Sequence, residues 1–180
     1  MNKPIIICII GESGTGKTLI ADYIADKYGF ALIESHTTRP KRTPDEGGHT
    51  FVSQDVFNTY PLSEMIAYTR FGGYDYCCLK GDVQKWNLYV IEEFGFEYLT
   101  DKFSGIYDIF SIRLHRDKAK RIASVGAERV GRDEGKFLFK DNVFSWVINN
   151  HSDSVAYLFQ EADRFMYMLA QVKDLEFNVE

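Results

Sequence analysis

Gly11-Glu12-Ser13-Gly14-Thr15-Gly16-Lys17-Thr18 has the form G-x-x-x-x-G-K-[ST], whose residue types suit it to cradle phosphate. Glycines, lacking Cβ, let successive backbone N–H groups turn inward around an anion. Lys17 adds a compact, mobile positive charge for the β- and γ-phosphates of a nucleotide. Thr18 offers a hydroxyl to Mg²⁺, which takes oxygen ligands. The helix that starts here adds the positive end of its dipole. ATP and Mg²⁺ are therefore the expected ligands of residues 11–18. The competing reading is a glycine-rich turn between a strand and a helix with no ligand.

A second cluster follows at Ser35-His36-Thr37-Thr38-Arg39-Pro40-Lys41-Arg42, three cations and three hydroxyls in eight residues. Arg39 and Arg42 are spaced to close two guanidinium forks on one phosphate, against the alternative of a solvated basic loop. Further on, Glu92 and Glu93 end an apolar run, the place for a carboxylate that orients Mg²⁺-bound water; Glu92 is the choice. Arg129 and Arg132 lie in a charged stretch and are candidates to neutralise charge on a transferred phosphoryl group, the alternative being a solvated loop. Cys77-Cys78 reads as two small, soft residues in a pocket wall.

The elements that must carry these groups alternate. Ile5-Ile6-Ile7-Cys8-Ile9-Ile10 is an unbroken apolar run, as in a strand buried on both faces of a parallel sheet. Leu19, Ile20, Tyr23, Ile24 and Tyr28 recur at helical spacing, with Gly29 placed as a C-cap. Strands are expected at 31–34, 50–52, 88–91, 106–114 and 143–148, and helices at 94–103 and 117–125. Residues 35–48 and 126–136 read as turn-rich or charged loops, and 65–78 as a hairpin turning at Gly72-Gly73. Val155, Leu158, Phe159, Ala162, Phe165, Met166, Leu169 and Val172 trace one face of a last helix, with Ser152 or Asp153 as N-cap. The fold class is α/β: a P-loop NTPase-type parallel sheet flanked by helices, with a small mixed or antiparallel lobe inserted. One domain is expected over 1–180, its core 1–34 and 82–180 and its lobe about 35–81.

With 180 residues, 45% of them hydrophobic, the chain can bury a full core. A net charge of −5 disfavours nucleic acid and anionic membranes as partners. No apolar run reaches spanning length, and the first is too short for a signal peptide. Cys8 falls in the buried strand and Cys77 and Cys78 are adjacent, so no disulfide framework is expected and a cytoplasmic location is the natural reading.

The ordered landmarks resemble those of guanylate kinases: the P-loop, Ser35-His36-Thr37-Thr38-Arg39-Pro40, Thr50-Phe51-Val52-Ser53 and Gly73-Tyr74-Asp75-Tyr76. The resemblance runs to about Gly95 and weakens beyond it, although Val147-Ile148-Asn149-Asn150 also fits. It implies a mobile lobe for a nucleoside monophosphate, a lid segment over ATP at about 126–142, and transfer of the γ-phosphate to GMP or dGMP with Mg²⁺, by a monomer or homodimer. It assigns the acceptor phosphate to Arg39, Arg42 and Tyr76, with His49 where the family has a further tyrosine, and the adenine border to Asn149. Of the base-reading positions Ser35 is kept. The family's glutamate falls on Ala67, with Glu64 the substitute if the register slips, its Gly-Ser/Thr pair on Cys77-Cys78, and its aspartate on Glu92. The phosphate grip is thus retained and the guanine grip weakened. The competing functions are a non-catalytic guanylate kinase-like binding module, and a P-loop kinase of a non-nucleotide phospho-acceptor.

Overall fold

The computed structural model describes residues 3–152 and 154–177. Along the chain run β1 (Ile5–Gly11), α1 (Lys17–Tyr28), β2 (Ala31–Leu32), β3 (Ser35–Thr37), β4 (His49–Phe51), α2 (Gln54–Phe57), β5 (Thr69–Phe71), β6 (Tyr74–Cys77), β7 (Trp86–Val90), α3 (Glu93–Phe103), β8 (Asp108–His115), α4 (Lys118–Val125), α5 (Ala127–Asp133), β9 (Trp146–Asn149) and α6 (Val155–Lys173).

β1 is the axis. It lies between β7 and β8 in a five-stranded parallel sheet of order β2-β7-β1-β8-β9. Side chains alternate across a strand, so both of its faces must be apolar. Ile5, Ile7 and Ile9 pack with α1 and α6, whereas Ile6, Cys8 and Ile10 pack with Phe96 and Leu99 of α3. Strand order reverses on either side of β1, and in such sheets the crevice at the carboxyl ends of the strands takes the ligand. The phosphate-loop motif follows β1 at that point.

A second sheet of order β4-β3-β6-β5 carries the inserted lobe. β3 pairs parallel with β4 and antiparallel with β6, so this sheet is mixed. β5 and β6 form the expected hairpin. Gly72 (φ 61°) and Gly73 (φ 88°) take the two left-handed positions of its turn, which a Cβ would strain.

Several boundaries differ from the sequence reading. The strand expected over 31–34 stops at Leu32, and Ser35–Thr37, expected as loop, forms β3, because the chain leaves the core sheet there to join the lobe. The expected loop 126–136 contains helix α5, whose Val130 is fully buried and anchors it. The strand expected from Val143 begins at Trp146: Ser111 and Ser145 each accept the other's backbone N–H and set its start. Leu19, one of the residues at helical spacing, is 41% exposed and lines a cleft. Val155 and Val172 are also exposed. Ser154 occupies the N-cap position of α6 and makes no side-chain cap; Asp153 lies outside the described residues.

α6 is fastened to α1 by one carboxylate. Asp163 accepts Tyr23 Oη and Tyr28 Oη at 2.8 Å and Lys27 Nζ at 2.9 Å, beside a Tyr23–Phe159 stack at 4.0 Å. Burial works against its charge, but the hydrogen bonds from Lys27, Tyr28 and Tyr23 outweigh it and hold the carboxyl below its ordinary range. A depressed carboxyl stabilises fully above its unfolded pKa and loses that contribution as pH falls through its folded one. Asp163→Asn should therefore lower Tm by about 2–4 °C at pH 7 for this partly exposed site. Melts in acid should show the gap closing as pH falls below the ordinary aspartate range; a constant gap would rule out the charge as its source.

Candidate active site

The phosphate-loop motif is held open by side chains on its outer side. Asn150 Nδ2 donates to Thr15 O at 2.8 Å and Arg116 Nη1 to Gly14 O at 3.0 Å. Arg121 pairs with Glu12, and Thr15 Oγ1 returns to Glu12 O at 2.8 Å. Two of the loop's own N–H groups are also engaged, Ser13 N–H with Asp133 Oδ2 at 2.6 Å and Thr15 N–H with Glu12 O at 3.4 Å. Gly16 (φ 105°) is needed here twice: its backbone is left-handed, and a Cβ would sit 3.1 Å from Asn150 Nδ2. Lys17 Nζ lies over the loop, donating to Gly11 O at 2.6 Å and Glu12 O at 3.0 Å. Burial pulls its pKa down to about 8, while the Asp133 charge pulls the other way. Thr18 is exposed to the cleft.

At the other end, Arg39 is 5% exposed and forks onto Glu46 with Nη2–Oε1 at 2.8 Å and Nη1–Oε2 at 3.1 Å. Arg42 joins it through its backbone N (2.5 Å) and Nη1 (3.0 Å). The Arg39 hydrogen bonds overcome burial and hold the Glu46 carboxyl down at about 2. Glu46 is thus the shared internal partner of both guanidinium groups. Arg39 Nε and His49 Nδ1 are buried without a hydrogen-bond partner among the described residues. Burial, then the charge of Arg39, lowers the His49 pKa, so its imidazole is neutral at pH 7. His49 and Tyr76 face each other with ring centroids 5.9 Å apart.

These ends meet in one cleft of about 800 Å³. Of the residues predicted from sequence, Gly11, Ser13, Gly14, Gly16, Lys17, Thr18, Ser35, Arg42, His49, Tyr76, Glu92, Arg129 and Arg132 line it. Arg129 Nε and Arg132 Nη2 both reach Ser13 Oγ, at 3.3 and 3.4 Å, so α5 sits directly on the loop. Others lie elsewhere. Arg39 is behind Glu46, and Glu12 and Thr15 serve the loop's outer side. Cys78 is fully buried with Ala67 in the core under α3, its thiol directed to Leu79 O. Asn149 is exposed at the end of β9; its neighbour Asn150 is the asparagine that touches the loop. Glu92 lines the cleft and also caps α3, accepting Gly95 N at 2.5 Å and Phe94 N at 2.9 Å.

Sequence reasoning missed Glu46, Asp133, Tyr89 and the Glu93–Arg113 pair. Tyr89 is buried and its hydroxyl meets Ser35 Oγ at 2.9 Å. Glu93 is fully buried; Oε1 takes Arg113 Nη1 at 2.6 Å, and Oε2 takes the N–H groups of Leu138 (2.6 Å) and Phe139 (2.9 Å). That ties the segment leaving α5 to the end of the sheet. Glu46 had a signal, an acid four residues after Arg42. Buried Glu93 had none, since nothing local distinguishes it from Glu92.

No protein-family model matches the sequence, and a search of curated proteins found no match. Solved structures do match. A guanylate kinase from Anaplasma phagocytophilum superposes with a TM-score of 0.64 at 15% identity, over 96% of this chain and 87% of that one. The chain shares that protein's fold, a parallel sheet flanked by helices with a second, mixed sheet. A gluconokinase from Sinorhizobium meliloti 1021 (TM-score 0.52, 15% identity, 96% and 97% covered) and a sugar kinase from a Janibacter species (0.52, 12%, 92% and 94%) share it. Among the described residues no helix is long and apolar enough to cross a membrane.

Proposed function

We propose that the protein is a nucleoside monophosphate kinase of the guanylate kinase type, moving the γ-phosphate of ATP to GMP, dGMP or a related (d)NMP. The observation that carries this reading is the shared cleft: a phosphate loop at one end, Arg42, His49 and Tyr76 at the other, and Arg129 and Arg132 between them. Two phosphate sites facing each other across a lid are what an in-line transfer needs. The loop N–H groups and Lys17 hold the donor. Arg42 and Tyr76 hold the acceptor phosphate, with neutral His49 able to donate to it, and Arg39 positions Arg42 through the Glu46 carboxylate that both hold. Arg129 and Arg132 face the charge that spreads over the transferred group. Thr18, and Glu92 through water, fit Mg²⁺, because each Glu92 oxygen keeps a lone pair beyond its cap bond and Mg²⁺ needs few protein ligands. When bound, Mg²⁺ neutralises charge on the triphosphate. Positioning and charge neutralisation suffice, so no covalent intermediate is required.

The base end differs from the family pattern. Ala67 and Cys78 are buried in the core, and the cleft presents the hydroxyls of Ser35, Thr69 and Tyr89 instead. Burial raises the Tyr89 pKa well above its usual value, so its phenol stays neutral and can donate or accept. Guanine's N1–H and N2–H₂ donors favour a carboxylate, and leaving one unpaired in a closed site costs about 1–3 kcal/mol. A screen of all ribo- and deoxyribonucleoside monophosphates with Mg·ATP tests the proposal. One or more should turn over, and Arg42→Ala should raise the acceptor KM roughly a hundredfold. No turnover with any monophosphate would overturn the reading.

A further inference from the structure

α5 seats a carboxylate in the phosphate loop. Asp133, its last residue, is 2% exposed, and Oδ2 accepts the backbone N–H of Ser13 at 2.6 Å. Arg132 holds Oδ1 through Nε and Nη2, each at 3.3 Å. Ser13 Oγ accepts from Arg129 and Arg132 in turn. An inward N–H of such a loop is a donor for a phosphate oxygen; here that donor holds an anionic oxygen of the chain itself. Burial opposes the charge on Asp133, but its Ser13 hydrogen bonds and Arg132 outweigh it and hold the carboxyl below its ordinary range. It is an anion throughout the neutral range. Its field also reaches Lys17, the loop's own cation.

We propose that Asp133 is an internal ligand of the phosphate loop that competes with nucleotide phosphate for the Ser13 N–H, so that donor binding displaces the end of α5. This rests on reading residues 11–18 as a nucleotide site. A phosphate oxygen and the Asp133 oxygen are both acceptors and both negative, and one N–H cannot serve the two at full strength. The bond that α5 makes to the loop is thus the bond that the ligand needs. The same contact places Arg129 and Arg132 at the loop, so exchange of one anion for another leaves the arginines beside the incoming phosphate.

Calorimetric titration of the full chain and of Asp133→Asn with pyrophosphate, then with Mg·ATP, tests this. Asparagine keeps the size and the acceptor oxygen but removes the charge. The variant should bind pyrophosphate about tenfold more tightly than wild type. Equal or weaker binding by a folded variant overturns the competition and leaves the nucleotide site standing; no binding of either ligand by either protein overturns both. Hydrogen exchange on the wild-type chain gives a second reading, independent of whether the variant folds. Pyrophosphate should slow exchange over residues 11–18 and quicken it over 127–133. Unchanged or slower exchange over 127–133 overturns the proposal.

Discussion

Lys17→Ala is expected to cut turnover roughly a thousandfold, the scale of losing one preorganised charge-stabilising group. Lys17 is the one cation of the motif itself, and its ammonium already lies over the loop on Gly11 O and Glu12 O. The fold should survive the change, because the loop's outer side is tied independently by Asn150, Arg116 and Arg121. A stability signature separates this from unfolding. Burial lowers the lysine's pKa to about 8. Between that value and its unfolded one of about 10.4 the unfolded chain binds more protons, so this group's contribution to stability rises with pH there. The alanine variant should lack that rise while matching wild type in circular dichroism. Turnover above a tenth of wild type in a coupled assay would remove Lys17 from the machinery.

Glu93→Ala should give the largest loss of stability. The carboxylate is fully buried and makes three bonds: one to Arg113 and two to the backbone N–H groups of Leu138 and Phe139. Arg113 is itself 5% exposed, its guanidinium 4.9 Å from the Phe137 ring and 5.4 Å from Phe144. Removing Glu93 strands a buried cation between aromatic rings, which costs about 3–5 kcal/mol. For a chain of this size that is a fall in Tm of about 10 °C. Thermal melts check it, with Glu93→Gln losing less because an amide oxygen still accepts the two N–H groups. A shift below about 2 °C for alanine would mean that the pair is dispensable.

The core was legible because its signals are local. Five isoleucines in the first strand demand two covered faces, and the glycine-lysine loop after it demands a strand on one side and a helix on the other. The lobe hairpin was legible from two adjacent glycines. β3 was not, because Ser35, His36 and Thr37 carry no apolar alternation and form a strand only through partners at 49–51 and 76–77. α5 was hidden by its charges: Glu128, Arg129, Arg132 and Asp133 read as solvated, yet Asp133 is buried against a loop 120 residues earlier. A separation of 135 residues hid Asn150's contact with Thr15, while its exposed neighbour Asn149 looked equivalent. Residue types that make ion pairs announce chemistry; which pairs they make depends on contacts that no window of sequence spans.

Phe71 closes β5 at the hairpin of the second sheet, and two cations rest on its ring, Lys136 at 4.5 Å and Arg132 at 5.6 Å. The second sheet therefore touches the end of α5 and the segment after it directly. Arg132 is at once a partner of this ring, of Asp133 and of Ser13. One guanidinium thus links the hairpin to the phosphate-loop segment without passing through the sheet. Under the proposed function, coupling carried by that guanidinium is reciprocal: whatever an acceptor does to the donor's affinity, the donor does to the acceptor's by the same factor.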